Sequence, residues 1–137
     1  MRDLTNDFVE LIRRASTDLS PDVQKSLEKA RDIEEQGSAA QSALITILDN
    51  VELSRKNSTP ICQDTGTPIF YVHYPEGWST RKLRDQIRAA IVIATQQSYL
   101  RPNAVDAITD KNTGDNLGDD AFPNIHFEEV EGDTLTV

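Results

Sequence analysis

The sequence has little cysteine, little positive charge and no long apolar run, and each shortage excludes a class of protein. Cys62 is the single cysteine among 137 residues, which excludes an intrachain disulfide framework and favours a reducing, cytoplasmic setting. The 14 Lys and Arg against 23 Asp and Glu give a net charge of -9, which argues against nucleic acid or an anionic membrane as partner. The longest apolar run, residues 89–94, is too short to span a bilayer, and the N-terminus has no apolar signal core.

Length and composition indicate one domain. A chain of 137 residues is long enough to bury a hydrophobic core. Apolar residues make up only 37% and the mean hydropathy is -0.50, both low for a complete globular domain. We therefore expect a single domain over residues 1–137 that is incomplete or depends on a partner.

Hydrophobic periodicity predicts an α/β (α+β) fold in which N-terminal helices precede a strand, a buried helix and a short β-sheet region. Helices are expected over residues 4–15, 21–33 and 38–57, with their apolar stripes facing a core. A strand follows at 69–74, then a helix from Ser79 or Thr80 to about Tyr99 whose centre, residues 89–94, should be deeply buried. Residues 109–124 read as a loop, and 125–130 and 134–137 as two strands around a turn.

The segment Pro60–Ile69, with sequence PICQDTGTPI, is the first candidate site. A thiolate is a soft metal ligand, whereas the amide of Gln63 and the carboxylate of Asp64 suit a polar substrate. One cysteine alone cannot hold a metal centre, and a buried, inert thiol is the plainer interpretation of Cys62. A nucleophilic pair of Cys62 with His73 or His126 also stays open.

Two further segments carry polar groups of uncertain role. The loop from Asp110 to Asp120 is rich in Asp and Asn and superficially resembles a calcium loop, but Ala121 stands where the bidentate Glu is required. Such loops more often cap their own backbone. Arg101, at the predicted end of a helix, either complements the helix dipole or binds a carboxylate through its planar guanidinium.

Four motifs in order give a family resemblance. They are ICQDTGT from Ile61, LRPNAVD from Leu100, KNTGDN from Lys111 and IHFE from Ile125. Together they resemble the N-terminal part of the iron–sulfur hydro-lyases, namely class I fumarases and the α subunit of L-tartrate dehydratase. The resemblance covers nearly the whole chain and is strongest from about Ser58 to Val130.

The resemblance implies a 4Fe–4S cluster held by three cysteines, of which Cys62 matches the first. The other two lie beyond Val137 in the family, so the chain resembles a fragment of the α domain that by itself would hold no cluster. Gln63, Asp64 and Arg101 match positions that contact a small dicarboxylate substrate. The open iron of the family's cluster acts as a Lewis acid toward the leaving hydroxyl.

The family's catalytic base lies in a C-terminal domain or separate β subunit, so no catalytic residue is named in this chain. Dimers of αβ units are the expected assembly. The implied reaction is the reversible hydration of fumarate to L-malate, with L-tartrate dehydration as the alternative. A non-catalytic module that keeps the α-domain fold and binds a partner is a further alternative, as is a calcium-binding protein that uses the Asp110–Asp120 loop.

Overall fold

The computed structural model describes residues 2–118 and 122–137. The regular elements of this part of the chain are, in order, α1 (Thr5–Thr17), α2 (Pro21–Ile33), α3 (Ala39–Asn57), β1 (Ile69–Pro75), α4 (Thr80–Gln96) and β2 (Asn124–Val130). The mixed fold class predicted from the sequence is confirmed. Predicted starts are also confirmed, since Ser20, Ser38 and Ser79 are N-caps and Pro21 opens α2.

The hydrophobic core lies between α1, α4 and one face of the sheet. Leu83, Ile87 and Ile91 of α4 are completely buried, because they recur on one side of the helix at helical spacing. They pack with residues of α1 and the two strands, namely Leu4, Phe8, Ile12, Phe70, Val72 and Ile125. The predicted deep burial of residues 89–94 is only partly correct, since Ala90, Ile91 and Ala94 are buried but Ala89 is exposed.

The sheet consists of β1 and β2, which run parallel in a register from Ile69 opposite Asn124 to Pro75 opposite Val130. Parallel neighbours need a crossover, and α4 supplies it. Phe70 and Val72 point into the core, whereas Tyr71 is 63% exposed and stacks on His126 with ring centroids 4.8 Å apart. One face of the sheet is therefore covered and the other is open.

The predicted strand at residues 134–137 is wrong in extent and in partner. Only an isolated antiparallel bridge forms there, between Thr136 and His73, with both N–O distances 2.9 Å. The segment therefore lies along β1 and does not form a hairpin with β2. Four residues after the Glu131–Asp133 turn provide too few pairs for a ladder, although their β-branched composition favours one.

The predicted burial of the apolar stripes of α2 and α3 is also wrong. Every residue of α2 is at least partly exposed, and the buried residues of α3 are Val51 and Ser54. Ile33 is 85% exposed and Ile47 45% exposed. The two helices pack mainly on each other, and α3 also touches α1. Periodicity therefore identified the helices correctly but not the elements that cover them.

Candidate functional site

Cys62 lies in a tight turn directly before β1. The amide of Thr65 donates to the carbonyl oxygen of Cys62 at an N–O distance of 3.4 Å, and the Cys62 Sγ lies 3.4 Å from the Thr65 Oγ1. The thiol is exposed. The burial expected in the plainer interpretation of this thiol is therefore wrong, because a loop of polar residues leaves the side chain at the surface.

The upstream end of this turn is fixed to two helices. The amide of Ile61 donates to the carbonyl oxygen of Ser16, at the end of α1, over 2.9 Å. The carbonyl oxygen of Ile61 accepts a hydrogen bond from the Asn50 Nδ2 of α3, also over 2.9 Å. The amide and the carbonyl of Ile61, the residue before Cys62, are thus bonded to α1 and α3, and this gives the thiol a defined position.

The downstream end of the turn is joined to the LRPN segment. The amide of Arg101 donates to the carbonyl oxygen of Thr65 over 2.7 Å, and the Asn103 Nδ2 donates to the carbonyl oxygen of Gln63 over 3.1 Å. Gly66 is buried at the crossing, where an added Cβ would stand 2.2 Å from the Arg101 carbonyl oxygen. Only glycine allows the two backbones to approach this closely.

Asn116, from the KNTGDN motif, joins the third motif to the other two. Its side chain is completely buried. The Oδ1 accepts from the amides of Asn103 and Ala104, over 2.7 and 3.2 Å, and the Nδ2 donates to the Arg101 carbonyl oxygen over 2.7 Å. Sequence reasoning placed Asn116 within a loop expected to cap its own backbone; its membership in the KNTGDN motif was the one signal of a further role.

Two other side chains in the described part of the acidic loop cap their own backbone, as expected for such sequences, and the Asn112 Nδ2 also donates to the Pro102 carbonyl oxygen. The Asn112 Oδ1 accepts from the amide of Gly114 over 2.7 Å, and the Asp115 Oδ1 from the amide of Leu117 over 2.9 Å. The Thr109 amide donates to Asp106 and lowers the pKa of that carboxyl. Asp119 and Asp120, which the calcium hypothesis also uses, lie outside the described residues.

The side chains of Gln63, Asp64 and Arg101 are all exposed, so the backbones of these residues are brought together while their polar groups face solvent. A cavity of about 410 Å³ lies beside the loop, between α1 and the start of β1. Its lining is mainly apolar, and among the described residues that line it Asp64 is the one with a charged side chain. This cavity would repel a dicarboxylate, so the exposed loop surface with Arg101 is the better candidate for a substrate site.

The donor set of this chain does not by itself fit an iron–sulfur cluster. Within residues 2–118 and 122–137, no three His, Cys, Asp or Glu side chains form a group that could hold a metal ion. Cys62 offers one accessible thiolate, and a cluster with three protein ligands needs two more. The chain therefore supplies at most one ligand to such a group.

In the described part of the chain, no helix is long and apolar enough to cross a bilayer.

Comparison with known proteins identifies relatives of the whole chain. Residues 5–137 match the family model described as fumarate hydratase (Fumerase). A Geobacillus stearothermophilus protein provisionally named fumarate hydratase class I is 39% identical over all 137 residues, which cover 26% of that relative. The α subunit of L(+)-tartrate dehydratase from Escherichia coli K12 is 29% identical over 136 residues, 93% of this chain and 45% of the relative.

A third relative, from Methanocaldococcus jannaschii, is provisionally named L(+)-tartrate dehydratase subunit alpha. It is 33% identical over 130 residues, which cover 92% of this chain and 45% of the relative. The chain thus spans between about a quarter and a half of the length of these relatives. Because the family model matches nearly every residue, including the three motifs that meet at the Cys62 turn, the chain belongs to the fumarate hydratase (Fumerase) family.

Proposed function

We propose that this chain forms the N-terminal part of the α region of a hydro-lyase that interconverts fumarate and L-malate. The observation that carries the proposal is the hydrogen bond from the Arg101 amide to the Thr65 carbonyl oxygen, which joins the CQDTG and LRPN motifs. The relative named as a fumarate hydratase is 39% identical, against 33% and 29% for those named as tartrate dehydratase subunits. This difference favours fumarate.

The electrostatics of the chain agree with a carboxylate site at Arg101. A net charge of -9 repels a dicarboxylate from most of the surface, so binding requires a local cation. The exposed guanidinium of Arg101 extends from a backbone fixed at both ends, and its planar fork suits a carboxylate. Gln63 and Asp64, on the facing loop, would also contact the substrate: the Gln63 amide can donate to the second carboxylate, and the Asp64 carboxylate can accept from the hydroxyl of L-malate.

In this proposal Cys62 is one ligand of a 4Fe–4S cluster whose other protein ligands come from polypeptide outside these 137 residues. The exposed position of the thiol supports this role, because an incoming ligand set can reach it. A C-terminal region or β subunit would supply the general base and complete the enzyme, which would work as a dimer of αβ units in the cytoplasm. The names of two relatives as α subunits support the existence of such a second part.

The second candidate is L-tartrate dehydration, favoured by those same two relatives. The protein as its gene encodes it should be purified anaerobically, supplied with iron and sulfide, and incubated separately with fumarate, L-malate and L-tartrate. Interconversion of fumarate and L-malate would support the proposal. Turnover of L-tartrate alone would select the second candidate. Turnover of none of the three would contradict a hydro-lyase and leave a non-catalytic module.

A further inference from the structure

The side chain of Asn116 uses its full hydrogen-bonding capacity inside the protein. Its Oδ1 accepts from two backbone amides, and its Nδ2 donates both to the Arg101 carbonyl oxygen and to the Thr95 Oγ1, the latter over 3.0 Å. Two lone pairs and two N–H groups are the whole inventory of a carboxamide. The partners also fix its orientation, because backbone amides can only face the oxygen and a carbonyl oxygen can only face the nitrogen.

Three of these four contacts fall on one short segment, residues 101–104, and the fourth reaches the core. Thr95 is a buried residue of α4 whose Oγ1 also donates to the Ile91 carbonyl oxygen over 2.8 Å. Ile91 is completely buried in the core cluster. Asn116 therefore connects α4, a helix of the hydrophobic core, to the segment that carries Arg101.

The same segment holds the Cys62 turn. The Arg101 backbone is fixed on both sides, by Thr65 at its amide and by Asn116 at its carbonyl. Asn103 is fixed likewise, since its amide donates to the Asn116 Oδ1 and its side chain donates to the Gln63 carbonyl oxygen. A shift of residues 101–104 would consequently change the distance between Arg101 and the turn that carries Cys62, Gln63 and Asp64.

We propose that Asn116 is the positioning residue that sets Arg101 in place relative to the Cys62–Gly66 turn. A buried asparagine that only satisfied its own polar atoms could bond any nearby groups. The backbone partners of Asn116 are instead the carbonyl of Arg101, the candidate carboxylate ligand, and the amides of Asn103 and Ala104 just after it. The expected effect on substrate binding rests on the proposed function, whereas the expected effect on the position of residues 101–104 does not.

The test is amide hydrogen exchange measured by NMR on the full chain under native conditions. Asn116→Asp keeps the volume and the oxygen acceptor but removes both N–H donors. Thr95→Val leaves Asn116 intact and removes its anchor on α4, together with the hydrogen bonds from the Thr95 Oγ1 to the Ile91 and Asp115 carbonyl oxygens. This variant serves if Asn116→Asp does not fold. We expect the Arg101 amide, which Asn116 does not itself bond, to exchange at least about tenfold faster in each variant, while the amides of Ile87 and Ile91 stay protected.

Ile91→Val is the matched control, because it weakens the same helix through lost packing and touches none of these hydrogen bonds. It should leave the relative protection of the Arg101 amide unchanged. Wild-type exchange at Arg101 in both test variants would overturn the proposal. So would an acceleration spread evenly over α4, because that is the result of global destabilisation.

A kinetic readout separates this inference from the proposed function. In the protein as its gene encodes it, Asn116→Asp should raise KM for fumarate several-fold more than it lowers kcat. An unchanged KM in an active enzyme would overturn the positioning role. If the wild-type protein shows no hydratase activity, the proposed function fails, and the exchange result still decides the role of Asn116.

Discussion

The amide nitrogen of Arg101 lies 2.7 Å from the carbonyl oxygen of Thr65, although 36 residues separate the two along the chain (101 − 65). This backbone hydrogen bond brings the turn with the only cysteine next to the segment with the candidate carboxylate-binding arginine. Backbone contacts between loops persist only where the neighbouring side chains allow close approach. Gly66 and Asn116 meet that requirement here, the first by its lack of a side chain and the second by bonding the facing carbonyl.

Gly66→Ala should destabilise the protein. The new Cβ would stand 2.2 Å from the Arg101 carbonyl oxygen, which is backbone and cannot rotate away. Overpacking of this kind costs about 1–3 kcal/mol, measurable as a lower midpoint of urea unfolding. Thr67→Ala, at an exposed position of the same loop, is the control and should leave the midpoint nearly unchanged. Equal stability of Gly66→Ala and wild type would mean that the two backbones do not approach as described.

Arg101→Lys should lower kcat/KM for fumarate by about tenfold or more, since hydrogen bonds to charged groups contribute about 1.5–3 kcal/mol and Lys cannot form the two-pronged contact. Its melting temperature should stay close to that of the wild type because Arg101 is exposed. Arg81→Lys, at an exposed position of α4, is the charge-matched control. Identical kinetics for Arg101→Lys and the control would show that Arg101 does not bind the substrate carboxylate.

Ile91→Ala and Ile47→Ala compare a residue of the core helix α4 with a residue of α3, which packs mainly on α2. Ile91 is 0% exposed, so its truncation leaves a cavity and should cost about 2–5 kcal/mol. Ile47 is 45% exposed, so its truncation should change the free energy of unfolding by no more than about 0.5 kcal/mol. Urea unfolding of both variants measures the contrast. A large loss in Ile47→Ala would show that α3 is covered in solution, for example by self-association.

The ion pair of Asp18 with Arg55 should give a small pH dependence. The hydrogen bond from Arg55 lowers the pKa of Asp18 below the ordinary value of an aspartate carboxyl. A lowered carboxyl pKa stabilises the folded state above that value, and the contribution is lost as pH falls through the lower folded pKa. Both side chains are more than a third exposed, so the effect should be about 0.5 kcal/mol or less.

Asp18→Asn measures this contribution. Its unfolding free energy should fall slightly below that of the wild type at neutral pH, and the two should converge in acid. A difference that persists unchanged at low pH would contradict an electrostatic origin. Asp32→Asn is the control, since Asp32 pairs with its own neighbour Arg31 on α2 and does not link separate elements.

Sequence patterns predicted the helices and the first strand because periodicity and capping residues are local properties. Ser38, for instance, accepts from the Gln41 amide, as its position before an apolar run indicates. Burial was not predictable in the same way. Ile33 and Ile91 both lie on apolar stripes, but only Ile91 is buried in the core with the sheet and α1, and that depends on tertiary packing.

The same distinction applies to the site. The CQDTG and LRPN motifs were visible in the sequence, and the close approach of Gly66 to Arg101 follows from neither of them alone. Asn116 was hidden among Asp and Asn residues that cap their own turns. Its long-range role depends on which backbone carbonyl and amides lie next to its side chain in the folded protein, and the local sequence does not indicate these partners.

The most direct measurement compares wild type with Cys62→Ser in the protein as its gene encodes it, after anaerobic reconstitution with iron and sulfide. The account predicts that the wild type gains the broad visible absorption of an iron–sulfur cluster and hydrates fumarate to L-malate, and that Cys62→Ser loses both while keeping its melting temperature. A wild-type protein with neither property, or a Cys62→Ser variant that retains both, would contradict the account.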